Sequence, residues 1–102
     1  LRQMVAGALP YLVQGLQDQH PLVKDTSAWT IGKIFELHYS CVPLEALPTV
    51  VEALRQALDD PSAAVANKAC FAIYNLASDR VASSFPASSP STNYLTPYFP
   101  HL

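Results

Sequence analysis

The sequence predicts an all-α fold in which antiparallel helix pairs stack in series as a solenoid. Three observations carry this. Apolar residues recur at i, i+3, i+4 and i+7 in four successive stretches, and no sustained period-2 run is present. The stretch that opens Ala8-Leu9-Pro10 begins again at Ala46-Leu47-Pro48, an offset of 38 residues. Val23, Trp29, Ile31 and Ile34 are then matched by Val65, Phe71, Ile73 and Leu76, at an offset of 42. Units of about 40 residues with two helices each are the pattern of HEAT or armadillo repeats. One pair cannot bury its apolar stripes alone, so neighbouring pairs stack and share a core.

The first HEAT repeat spans residues 1–38. Its first helix, about 1–18, places Leu1, Met4, Val5, Ala8, Leu9, Leu12, Val13 and Leu16 on one stripe. Its second helix, about 21–38, opens on Pro21, whose missing N–H costs nothing in a first turn. The second repeat spans 43–77, with helices over about 43–59 and 62–77. Leu44, Leu47, Val50, Val51, Leu54 and Leu58 form its first stripe. The difference between the two offsets is about one helical turn, so this helix is expected to be a turn longer than its counterpart. Pro10 and Pro48 fall inside the first helices and should kink them. Asp60 or Ser62 could cap the last helix. The connections Asp18-Gln19-His20 and Asp59-Asp60-Pro61 are short, so paired helices lie antiparallel.

Residues 78–93, "SDRVASSFPASSPSTN", are rich in Ser and Pro and read as an inter-repeat loop. Residues 94–102 read as the start of a third repeat's first helix, with Pro100 in the place of Pro10 and Pro48. The chain begins and ends inside helical patterns. It is expected to be a fragment of a longer superhelix.

A wheel of about 100° per residue separates the faces of the second helices. In the first repeat Val23, Ser27, Thr30, Ile31, Ile34, Leu37 and His38 form the packing stripe. Asp25, Gly32 and Glu36 lie opposite, and Trp29 lies with them. In the second repeat Val65, Ala69, Ala72, Ile73 and Leu76 form the stripe. Phe71, Asn67, Tyr74 and Asn75 lie on the other side. An aromatic ring recurring at matching positions of a wet face needs a reason. One reason is a partner-binding ladder. Rigid aromatic rings beside carboxylates suit Arg or Lys, through cation–π contact and charge pairing. The implied partner is a basic segment laid along the second helices. The other reason is that a neighbouring repeat or loop covers the ring, making it lateral core. Gly32 is open to the same two explanations, close approach of a partner or tight packing against a neighbouring helix.

Other chemistries are set aside. A net charge of -2, with six Lys and Arg scattered singly, argues against nucleic acid. No window of about 18 apolar residues suggests a membrane span. Cys41 and Cys70 lie far apart, which suggests neither a zinc site nor a disulfide framework. His20, His38 and His101 do not converge with carboxylates or cysteines at ligand spacing, so no metal is expected. There is no Gly-x-Ser-x-Gly elbow and no glycine-rich phosphate loop. The expectation is therefore a binding protein without cofactor or catalysis.

"DTSAWTIGKI", Asp25 to Ile34, resembles the Asp-Thr-x-Ala-Trp-x-x-Gly-Arg/Lys-Ile segment of the importin-β (karyopherin-β1) family of nuclear import receptors. "ALPYLVQGLQDQHPLVKD" and "VANKACFAIYNLA" are similar to the same family, as is the short "YLTPYFPHL". The resemblance implies a segment from the central HEAT repeats of a receptor that shuttles between cytoplasm and nucleus. First helices would form its convex surface and second helices the concave one. In that family concave tryptophans stack against the basic domain of importin-α, and Trp29 matches one such position. Phe71 stands where many members have Trp. Asp25 and Glu36 would pair with the Arg and Lys of that domain or of a basic cargo. Asn67, Gly32, Tyr74 and Asn75 complete the expected face. Members also bind the GTPase Ran and phenylalanine-glycine nucleoporins, but no residue here maps to those sites. Two rival readings remain: another HEAT scaffold, either a different karyopherin or a phosphatase scaffold subunit, and the helical domain of an enzyme, which the absence of any convergent polar cluster opposes.

Overall fold

The computed structural model describes residues 1–84, which form four α-helices. These are α1 (Arg2–Leu16), α2 (Pro21–Leu37), α3 (Leu47–Ala57) and α4 (Ala63–Ser84). Two short 3₁₀ turns, Tyr39–Cys41 and Leu44–Ala46, join α2 to α3. No strand occurs among the described residues. Within each pair α1 packs on α2 and α3 on α4; between pairs α2 packs extensively on α4, and α1 on α3. The expected all-α architecture of stacked helix pairs is the one observed.

Local chemistry sets the helix starts. The Asp18 side chain accepts from the His20 amide at 2.8 Å, and His20 Nδ1 accepts from the Leu22 amide at 3.3 Å. His20 is thus the N-cap of α2, with Pro21 behind it in the first turn. Before α4, Asp60 Oδ2 accepts from the Ser62 amide at 2.9 Å. That organises the loop from Asp60, one of the two residues expected there.

Two expectations about helix lengths are corrected. Pro10 lies inside α1, but Pro48 is in the first turn of α3, preceded by the 3₁₀ turn Leu44–Ala46. A proline there breaks nothing, because its N–H has no helical partner to lose. α3 is therefore shorter than α1, 11 residues against 15, not a turn longer. At the other end α4 runs on to Ser84, so residues 78–84 are helix where a loop was expected. No proline follows Pro61 until Pro86, and serine composition alone does not stop a helix already propagating. The remainder of the expected loop, 85–93, and the third-repeat start, 94–102, lie outside the described residues.

The core is one cluster that crosses both pairs. Leu9, Ile31, Phe35, Val50, Leu54 and Val65 are its largest fully buried side chains. The Phe35 and Tyr39 rings meet at 6.4 Å, tilted by 57°. α4 buries Val65, Ala69 and Ala72 and half-buries Ile73 and Leu76, which is the stripe the wheel gave.

The buried stripe of α2 is rotated from its expected position. Ser27 and Ile31 are buried, but so are Ala28, Gly32 and Phe35, while Val23 and Leu37 are exposed. α4 approaches on the side where α2 offers small residues, and a close approach buries whatever lies there. Val23 and Leu37 remain uncovered, and Val23 shares a shallow apolar groove with Leu22 and Thr26. At the other end Leu44, Leu47, Pro48, Val51 and Leu76 line a second one. Both end faces are thus left open among the described residues, as stacked repeats require.

Candidate partner-binding face

Trp29 sits on α2 away from the rotated stripe, and its side is wet: the residue is 48% exposed. It has a companion from its own helix. Lys33, one turn on, holds its ammonium 5.9 Å from the Trp29 ring centroid, within cation–π range. The same ammonium donates to Glu36 Oε1 at 2.5 Å. Ring, cation and carboxylate form a row along one edge of α2, because positions 29, 33 and 36 share a helix face.

The second row crosses from α2 to α4. Lys68 donates to Asp25 Oδ1 at 2.6 Å, with both side chains about one third exposed. Phe71 is half-buried. It lies over Gly32: a Cβ built on Gly32 would meet Phe71 Cδ2 at 2.6 Å and Cε2 at 2.7 Å. Asn75, 9% exposed, donates from Nδ2 to the Gly32 carbonyl at 3.1 Å. Lys24 donates to Asp60 Oδ1 at 2.6 Å, tying α2 to the loop before α4.

The eight expected site residues therefore fall into three groups. Trp29, Glu36, Asn67 and Tyr74 are exposed. Asp25 and Phe71 are half-buried in the seam between α2 and α4. Gly32 and Asn75 are buried, and the expectation that they face a partner is corrected. Gly32 admits the Phe71 ring, which is the packing explanation the sequence left open. Asn75 spends its amide on the Gly32 carbonyl, because a polar group at a dry seam needs a partner.

Lys68 is the participant that wheel reasoning missed; Lys33, which the wheel places one turn from Trp29, is not among the expected site residues. Lys68 had a signal: it lies 43 residues after Asp25, close to the repeat offset, so stacked helices bring the two together. Lys33 lies at i+4 from Trp29 and i−3 from Glu36, a spacing that puts all three in reach. The two carboxylates of the face are thereby matched by two ammonium groups. Pairs this exposed contribute about 0–1 kcal/mol each, since water screens them.

Titration shifts lie elsewhere. The Lys24 ammonium, and next the Ser62 amide, hold the Asp60 carboxyl below the usual carboxylate range. On α3, hydrogen bonds from Arg55 and then Gln56 bring Glu52 down to about 2. Among the described residues no group of three or more His, Cys, Asp or Glu could hold a metal ion. No described helix is long and apolar enough to cross a membrane.

Helix pairs stacked through a shared core, with matching positions at a repeat of about 40 residues, define the chain as a HEAT-repeat α-solenoid. The HEAT-like repeat family pattern matches residues 1–34. Importin subunit beta-1 of Schizosaccharomyces pombe is 35% identical over 100 residues, covering 97% of this chain and 11% of that protein. Importin subunit beta-1 of Arabidopsis thaliana is 36% identical over 109 residues, covering all of this chain and 12% of that protein. The chain belongs to the importin-β family of HEAT-repeat proteins. It spans about one ninth of the length of these relatives. No solved structure matches it significantly.

Proposed function

We propose that this chain is a segment of a nuclear import receptor, and that the α2–α4 face binds the basic domain of an importin-α-type adaptor or a basic cargo. It acts by binding, not catalysis, within a protein that shuttles between cytoplasm and nucleus. The observation that carries the proposal is Trp29. A large ring left about half exposed, beside the carboxylates of Glu36 and Asp25, is a poor surface residue and a good anchor for a guanidinium or ammonium. Tyr74 and Asn67 extend the exposed face along α4. Phe71 contributes less, because it is half-buried and also fills the seam over Gly32. The importin-β relatives support the transport role, since their names state it. Contacts with Ran or with phenylalanine-glycine nucleoporins belong to the full-length protein, and no described residue is assigned to them.

The test is equilibrium binding of an importin-α basic domain to the full-length protein, wild type against Trp29→Ala. A hot-spot ring loses about 1–3 kcal/mol of binding on truncation. Unchanged affinity with the fold intact would sink the proposal.

A further inference from the structure

Trp29 is not a vacant ring. Lys33 stands over it at 5.9 Å and reaches Glu36 at 2.5 Å. One ammonium thus makes both contacts that a partner's cation would make, stacking on the ring and pairing with the carboxylate. The other carboxylate of the face, Asp25, is held by Lys68. Resting on the function proposed above, we infer that Lys33 is a built-in competitor. A basic segment engages Trp29 and Glu36 by displacing the Lys33 ammonium from them.

The physical case is an exchange. Before binding, the ring and the carboxylate already have a cation, so an incoming one gains only the difference between itself and Lys33. The Lys33 side chain is long and flexible, and about one third of it is exposed, so it can swing into water when displaced. The competition is weak, because both contacts are wet. The face therefore discriminates against a lone passing cation. It yields to a segment that brings several cations at once and also contacts α4.

A double-mutant cycle on the full-length protein tests this, with a synthetic Arg/Lys-rich peptide as the probe and salt held constant. Its four forms are wild type, Lys33→Gln, Trp29→Ala and the double variant. Lys33→Gln is expected to tighten binding about two- to five-fold, the factor matching an exposed cation–π contact. In the Trp29→Ala background the same substitution is expected to give a clearly smaller gain, because only the Glu36 carboxylate is left to uncover. Lys33→Arg, which keeps a cation on the ring, is expected to show no tightening. Unfolding midpoints of all forms establish that each is folded. Unchanged or weakened binding by Lys33→Gln overturns the inference, the latter because Lys33 would then contact the partner itself. A gain undiminished by the loss of Trp29 also overturns it, since it reports only the removed charge. Trp29→Ala binding as tightly as wild type fails differently: it removes the proposed function, and this inference with it.

Discussion

Trp29 and Phe71 occupy matching positions of two successive repeats, 42 residues apart, and do different work. Trp29 is half exposed and touched by a lysine of its own helix. Phe71 leans back over the preceding repeat and rests where Gly32 has no side chain. The sequence repeat makes the two rings look like rungs of one ladder. In the fold they are an anchor and a wedge. A residue in a solenoid is defined by its own helix and also by what the previous helix presents to it, and Gly32 is what makes Phe71 a seam residue.

That contrast can be strained most by filling the seam. Gly32→Val puts branched carbon where the Phe71 ring lies, and overpacking of this kind costs about 1–3 kcal/mol. The expected outcome is a lower denaturant midpoint, partly recovered by adding Phe71→Ala. Gly32→Ala is expected to be milder, because replacing a helical glycine returns up to about 1 kcal/mol. The next effect comes from the bond beneath the ring. Asn75→Ala removes the donor to the Gly32 carbonyl and is expected to cost about 1 kcal/mol, read in the same denaturation experiment.

A smaller effect comes from acid. Asp60 in the folded chain titrates below its ordinary value, so its pairing with Lys24 and Ser62 stabilises the fold fully above the unfolded value of about 4. That contribution shrinks below this pH and is lost once the pH passes under the folded value. In Asp60→Asn this part of the acid sensitivity should be missing, which unfolding midpoints from pH 7 to pH 2 would record. An Asp60→Asn variant with an unaltered profile would mean that the joint is not electrostatic. The smallest stability effect belongs to the other ring. Trp29→Ala is expected to change unfolding by no more than about 0.5 kcal/mol, as for an ordinary surface substitution.

Much of the fold was legible because periodicity and repetition report it directly. Val65, Ala69 and Ala72 fall at i, i+4 and i+7, and all are buried. Periodicity also puts Trp29 off the packing stripe, while leaving open whether a neighbouring repeat or loop covers the ring. What was hidden depended on contacts between repeats. Wheel analysis weighs Val23 and Leu37 above Ala28 and Gly32, yet close helix approach buries the small pair and leaves the large pair open. Asn75 looks like a surface residue until the Gly32 carbonyl is brought to it. Pro48 looked internal because the apolar pattern begins at Leu44, whereas the backbone turns as 3₁₀ up to Ala46 and becomes α-helical only at Leu47. Lys68 and Asp60 gain meaning only when helices distant in sequence are stacked.

The central claim is that matching rings have divided roles, Trp29 for a partner and Phe71 for the seam. It is tested most directly by measuring stability and basic-domain affinity together for Trp29→Ala and Phe71→Ala in the full-length protein. The account predicts that Trp29→Ala loses about 1–3 kcal/mol of binding with its unfolding midpoint preserved. It predicts that Phe71→Ala loses stability by at least about 1 kcal/mol and loses less binding than Trp29→Ala. Equal losses of affinity with both folds intact, or a Trp29→Ala variant that unfolds easily and binds normally, would contradict it.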